Sequence, residues 1–251
     1  MVSLDFAWAF EIRLQDRCAT RVEPFDYGSA LFRPDLPRVY DENFLRLERG
    51  FEELDARDLA VVADRLQGGA GLTHRKAVVP DETAGERLTK GFSRLRWRRS
   101  VLLTMGHNGN PVPEPEHEVV EPDQQALTSA RVRAFADDLG SGAAGQVAEH
   151  LELVASVVPS RAFAVVLDGE PVSWCVLYSE DGVGQIDDVV TAMPHRRRGY
   201  ARSVVQAAVR ASQAAGNDFT FLVADDDDWP KEMYARIGFE PLGRRYEFTR
   251  A

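Results

Sequence analysis

The second half of the chain shows a spacing of apolar positions that distinguishes helices from strands. After a short predicted strand at residues 119–121, residues 122–139 and 146–157 have helical spacing, and a glycine-rich loop at residues 140–145 separates them. Period-two alternation then predicts three strands, because successive side chains of a strand face opposite sides. Two Asp-Gly pairs favour tight hairpin turns between them. The three strands cover residues 162–167, 170–178 and 183–191.

The spacing becomes helical again from Gly199. Residues 219–223 follow this helix as a strand, Pro230 opens a short helix, and Gly238 ends it before a final strand at residues 244–249. The predicted order from residue 119 is β-α-α-β-β-β-α-β-α-β. This order predicts a mixed α/β domain.

Residues 106–116 separate the two halves of the chain, since glycine, proline and acidic residues there replace apolar periodicity. Before this predicted linker, residues 55–66 form the clearest helix, and residues 96–105 form a strand after a helix. We predict an N-terminal α/β domain at residues 1–110 and a larger domain at residues 118–251. The N-terminal domain is either a degenerate copy of the larger one or an unrelated accessory segment that covers its substrate side.

The charge balance narrows the class of partner. The 251 residues include 40 acidic and 30 basic side chains, and the net charge is -10. This charge opposes attraction to nucleic-acid phosphates and mildly favours cationic partners such as amines. The chain has neither an apolar run long enough for a membrane span nor a basic signal-peptide flank, and its two cysteines are far apart. We therefore predict a cytoplasmic protein without nucleic-acid or membrane partners.

One segment carries a recognisable binding chemistry: Arg196-Arg197-Arg198-Gly199-Tyr200-Ala201. It joins a predicted strand to a predicted helix, where free N–H groups and the helix dipole favour an anion. Gly199 and Ala201 leave room for a pyrophosphate, and the arginines can add charge-assisted hydrogen bonds. The same R-x-x-G-x-A pattern at residues 65–70 follows a helix and offers no helix N-terminus. The alternative for residues 196–201 is a basic surface cluster that caps a helix.

The element order and two motifs together resemble the GCN5-related N-acetyltransferase (GNAT) family over roughly the last half of the chain. The motifs are Arg196-x-x-Gly199-x-Ala201 and Met233-Tyr234-Ala235-Arg236-Ile237-Gly238-Phe239. The resemblance implies a mixed, mostly antiparallel central sheet flanked by helices. Ala201 replaces the commoner final glycine of the family loop. Residues 228–232 depart from the asparagine-containing pattern that often contacts pantetheine.

The resemblance also implies the ligand and the reaction. Acetyl-CoA is expected as the cosubstrate, with its pyrophosphate at residues 196–201 and with Val189 and Val190 of the preceding strand beside it. The acetyl group would pass directly to a primary amine, while a backbone N–H of that strand stabilises the oxyanion. Neither a protein nucleophile nor a metal is required, and the five histidines show no metal-ligand spacing.

Three side chains are candidates for catalysis. Tyr234 holds the family position for protonating the departing thiolate, with a core aromatic as the alternative. The attacking amine must lose a proton, and Asp187 or Asp188 is a candidate base. Strand alternation places these two carboxylates on opposite faces, and water or a purely structural role remains open for each. Cys175 lies among apolar residues, which indicates a core thiol.

The identity of the acceptor stays open, since a small-molecule amine and a peptide amine fit the same catalytic core. The run Asp225-Asp226-Asp227-Asp228 either attracts a cationic amine or is a solvated loop. The alternative function is a non-catalytic acyl-CoA-binding regulatory module, against which the retained Tyr234 argues. The oligomeric state is not indicated.

Overall fold

A computed structural model describes residues 4–251, so the first three residues of the predicted N-terminal domain lie outside the described residues. The helices are α1 (Leu4–Cys18), α2 (Ala56–Ala63), α3 (Glu82–Arg94), α4 (Gln124–Leu139), α5 (Ser141–Val157), α6 (Tyr200–Ala214) and α7 (Pro230–Ile237). The strands are β1 (Arg21–Phe25), β2 (Gly28–Phe32), β3 (Phe44–Leu47), β4 (Arg75–Val79), β5 (Arg98–His107), β6 (Ser160–Leu167), β7 (Glu170–Glu180), β8 (Val183–Thr191), β9 (Phe219–Asp225) and β10 (Phe239–Arg250).

The predicted order of elements is confirmed from residue 122 onward, whereas the predicted strand at residues 119–121 is only an isolated bridge between Val120 and Ala164. Two other predicted segments also differ. The predicted loop at residues 140–145 is wrong, because α5 begins at Ser141 and only Gly140, with φ of 76°, interrupts the two helices. Alanines in this segment favour helix, whereas the glycine accepts the left-handed backbone that the turn needs. The predicted linker begins too early, since Gly106 and His107 still pair with β10.

All ten strands form one sheet, in the order β1-β2-β3-β4-β10-β5-β9-β8-β7-β6. The arrangement of strands is the same whether it is followed from edge strand β1 or from edge strand β6. Three consecutive antiparallel strands come first, a parallel step to a fourth strand follows, and then comes the last strand of the other half. The chain order repeats as well, because helix, three strands, helix, strand, helix and strand occur in α1 to β5 and again in α5 to β10.

The two halves exchange their last strands. Strand β10 lies between β4 and β5, and β5 lies between β10 and β9, so each half fills a place in the sheet of the other. The β5–β10 pairing extends from Arg98 opposite Thr249 to His107 opposite Phe239. The hydrogen-bonded sheet therefore continues across the division between residues 110 and 118, and that division into two domains stays a prediction.

Helices cover both faces of the sheet and bury its apolar side chains. On one face α2 and α3 pack over the first half, and α6 and α7 pack over the second half. On the other face α1, α4 and α5 pack against β6 to β9, with Phe10 of α1 in edge contact with Phe221 of β9. Burial of these faces is the main source of stability for such a layered fold.

Candidate active site

Strands β8 and β9 separate towards their carboxyl ends. Their parallel pairing covers only residues 183–186 of β8 and residues 219–222 of β9. Beyond this point β8 continues to Thr191 beside β7, and β9 continues to Asp225 beside β5. The separation opens a cleft between two parallel strands at their carboxyl ends, a usual place for ligands in open sheets.

A β-bulge changes the direction of β8 where this cleft opens. On β7 only one residue lies between Trp174 and Val176, whereas on β8 two residues lie between their partners Val190 and Asp187. Asp188 adopts a positive φ of 51° within this bulge. Bulges of this kind redirect side chains and free backbone groups next to functional sites.

Residues 196–201, which follow β8 and are called the anion loop below, have the geometry of an anion site. Arg197 and Gly199 adopt positive φ values of 63° and 84°, and α6 then begins at Tyr200. Between residues 4 and 251, the backbone N–H groups of residues 197–202 donate to no backbone carbonyl. They are therefore available to an anion, and the positive end of the α6 dipole points the same way.

The loop and the cleft belong to one cavity of about 1630 Å³. Its wall includes the predicted cofactor-binding residues and Tyr234, so most residues proposed from the sequence meet in one place. Asp187 and Asp188 are not part of this wall. The predicted residues on the wall are Val189, Val190, Arg196, Arg197, Arg198, Gly199, Tyr200, Ala201 and Tyr234.

Asp188 is held inside the protein by an ion pair. One oxygen of its carboxylate accepts from Arg131 Nε at 2.7 Å and from Trp174 Nε1 at 3.0 Å, and both charged side chains are buried. Burial raises the pKa of Asp188 to about 6, against the opposing charge of Arg131. Asp187 is exposed. It lies opposite Val176, which packs on the same face as Trp174, so the bulge at Asp188 places both carboxylates on this face and the predicted opposite faces are wrong.

The region that holds the cleft matches a known family. The Acetyltransferase (GNAT) family model matches residues 129–239, which span the cleft, the anion loop and Tyr234. Residues 129–239 form a GNAT acetyltransferase domain. The protein is thus an acyltransferase, and this match confirms the family predicted from the sequence. A search of curated proteins gave no relative that matches the chain.

Solved structures share the GNAT fold over nearly the whole chain. A conserved protein of unknown function from Staphylococcus epidermidis is 18% identical, with a TM-score of 0.71 over 92% of this chain and 94% of its own. A GCN5-related N-acetyltransferase from Kribbella flavida is 18% identical, with a TM-score of 0.62 over 99% and 96%. An acetyltransferase from Colwellia psychrerythraea is 11% identical, with a TM-score of 0.52 over 100% and 98%. The predicted fold class is confirmed.

Tyr234 is buried in the GNAT cleft and stays protonated. It lies on α7, and its ring is 6.2 Å from that of Phe239 in an edge contact. Burial, followed by the charges of Cys175 and Asp187, raises the pKa of its hydroxyl above the usual value. Among the side chains that the structure describes, none makes a hydrogen bond with this hydroxyl. It is therefore free for a ligand.

Two further predictions concern Cys175 and the acidic run. Cys175 is buried, its Sγ donates to the carbonyl of Val204 at 3.4 Å, and burial raises the pKa of its thiol well above normal. This agrees with the predicted core thiol. In the acidic run, Asp226 is held by Arg244 at 2.7 Å and by Lys231 at 3.0 Å, and only Asp228 reaches the cavity wall.

Two features near the cleft were not predicted from the sequence. Arg131 lies on the apolar face of α4, and an arginine at such a position was a signal of a buried counterion. The second is the contact of the predicted linker with the site, since Glu116 and His117 lie against the anion loop.

Within the described residues, no group of three or more His, Cys, Asp or Glu is arranged to hold a metal ion. No helix of residues 4–251 is long and apolar enough to cross a membrane.

Proposed function

We propose that the protein is an N-acetyltransferase that moves the acetyl group of acetyl-CoA directly to a primary amine. The observation that carries this proposal is the single cavity in which the free N–H groups of residues 197–202 and the Tyr234 hydroxyl lie at the two sides of the β8–β9 cleft. Residues 196–201 would hold the pyrophosphate, and the pantetheine arm would lie along Val189 and Val190. The thioester would then lie near Tyr234.

The reaction requires one bond to form and one to break. The amine nitrogen attacks the thioester carbonyl, a C–N bond forms, and the C–S bond breaks with its electron pair going to sulfur. A backbone N–H exposed by the bulge would stabilise the oxygen as negative charge develops there. Tyr234 would donate its proton to the departing thiolate. The products are an N-acetylated amine and CoA.

Of the two adjacent carboxylates, we assign the acceptor side to Asp187. Asp188 is committed to Arg131 and Trp174 inside the protein, whereas Asp187 is exposed. Its charge contributes to the raised pKa values of Tyr234, Glu11 and His150. Asp187 would therefore bind the acceptor ammonium and take its proton, directly or through water.

We further propose that the N-terminal half is a degenerate copy of the GNAT domain. The repeated element order and the palindromic sheet support this interpretation over an unrelated segment. In the equivalent position before α2, Asp55 caps the helix with its own carboxylate, which accepts from Arg57 N at 2.7 Å. A carboxylate at this helix start would repel a phosphate, so this half would not bind CoA in that way.

The acceptor proposed here is a small-molecule or peptide amine, which the excess of acidic residues favours. A cytoplasmic location and the absence of nucleic-acid and membrane partners belong to the same proposal. Catalysis distinguishes it from the alternative, a non-catalytic acyl-CoA-binding module.

Thiol release from acetyl-CoA tests the function. The purified protein is incubated with acetyl-CoA and a panel of amines that includes monoamines, diamines and lysine peptides, and free CoA is measured against an amine-free control. We expect release that depends on one class of amine, with a stoichiometric acetylated product by mass spectrometry. Acetyl-CoA binding by calorimetry without release on any amine would favour the non-catalytic module. The absence of binding would refute both functions.

A further inference from the structure

The linker between the two halves is fastened along α6. The side chain of Arg210 donates to the Val112 carbonyl at 3.2 Å and pairs with Glu114, and Gln213 donates to the Asn110 carbonyl at 3.0 Å. At the beginning of α6, the backbone N–H of His117 reaches Ser203 Oγ at 3.3 Å. These contacts lead the linker directly to the anion loop.

His117 ties the linker to the loop. Its Nε2 donates to the Arg198 carbonyl at 2.8 Å, and its ring makes an edge contact with Tyr200 at 4.6 Å. A Cβ added to Gly199 would lie 3.3 Å from His117 Nε2 and 3.8 Å from Glu116 Oε2. The linker therefore forms part of the wall next to the N–H groups that are proposed to hold phosphate.

Glu116 places a negative charge next to the positively charged start of α6. Its carboxylate pairs with Arg202, whose Nη2 lies 3.8 Å from the same point at Gly199, and both side chains line the cavity. Among the side chains that the structure describes, no carboxylate forms an ion pair with Arg197 or Arg198. Among the arginines of residues 196–202, only Arg202 pairs with a linker carboxylate.

We propose that Arg202 is a further phosphate-binding residue of this cavity and that Glu116 is the counterion it releases when CoA binds. This inference rests on the proposed CoA binding at residues 196–201. The ion pair is well exposed, at 46% of the Arg202 side chain and 63% of the Glu116 side chain, so little free energy holds it together. A phosphate dianion offers arginine a stronger, charge-assisted partner. The same dianion repels the Glu116 carboxylate and drives the exchange.

Calorimetric titration with CoA tests the exchange on the full chain. Arg202→Gln should weaken CoA binding about fivefold to tenfold, and Glu116→Gln should tighten it about threefold. In the double variant the effect of Glu116→Gln should disappear, because Arg202 is the group it restrains. Glu121→Gln is the matched control, since Glu121 pairs with Arg161 through an equally exposed contact outside the cavity wall, and its affinity should not change.

The same titrations with 3′-dephospho-CoA identify the phosphate. If Arg202→Gln weakens CoA but not 3′-dephospho-CoA, Arg202 binds the 3′-phosphate, and equal losses assign it to the pyrophosphate. Unchanged CoA affinity in a folded Arg202→Gln protein would overturn the inference while leaving the proposed function intact. Weaker binding by Glu116→Gln would overturn the counterion role. If the unsubstituted protein does not bind CoA, the proposed function itself fails.

Discussion

Removal of the Tyr234 hydroxyl separates a catalytic role from a core role. Tyr234→Phe keeps the ring in its apolar site against Phe239, and no side chain that the structure describes loses a hydrogen bond to the hydroxyl. The free energy of unfolding should therefore change by less than about 1 kcal/mol, which is a few degrees in melting temperature for a chain of this size. As proton donor to the thiolate, the hydroxyl should account for about a hundredfold in kcat, or about 2.7 kcal/mol of transition-state stabilisation.

The measurement combines kcat, CoA affinity and thermal unfolding on one preparation of Tyr234→Phe. We expect normal CoA affinity and a normal melting temperature with the lowered kcat. Because burial raises the pKa of the hydroxyl above 10, the wild-type enzyme should keep its proton donor across the neutral range, and kcat should not fall from this cause below about pH 10. Near-normal turnover with a lowered melting temperature would show that Tyr234 is only a core residue.

Three further predictions follow from the same geometry. Asp187→Asn should lower kcat/KM for the amine at least tenfold without changing the KM for acetyl-CoA, and an unchanged kcat/KM would leave water as the base. Gly199→Ala and Gly216→Ala both force alanine to a positive φ and should cost about 1–2 kcal/mol of stability each, but only Gly199→Ala should weaken CoA binding, as calorimetry would reveal. Neither cysteine should react with iodoacetamide in the native protein at pH 8, because burial raises the pKa of Cys18 to about 12 and that of Cys175 well above normal; mass spectrometry before and after denaturation checks this.

The order of most elements and the position of the anion loop could be predicted from the sequence, because both depend on the spacing of residues close together in the chain. Side-chain alternation set β6 to β8, and positive-φ glycines marked the ends of α6 and α7. The loop at residues 196–201 could be recognised since the whole R-x-x-G-x-A pattern lies on one strand-to-helix junction. The positions of Asp187 and Asp188 were harder to predict, because the bulge at Asp188 breaks the alternation from which opposite faces were expected.

The sequence by itself determined the local features of the proposed site: a strand-to-helix junction that contains Gly199, and a phenol four residues before Gly238, both of which depend on neighbours within a few residues. Only the tertiary structure decided that Arg131 holds Asp188 in a buried ion pair, that β5 and β10 are exchanged between the halves, and that the linker brings Glu116 to the anion loop. These contacts join residues 57, about 140 and 86 positions apart. Such partners are chosen by packing and charge in the folded chain, and no short-range spacing in the sequence records them.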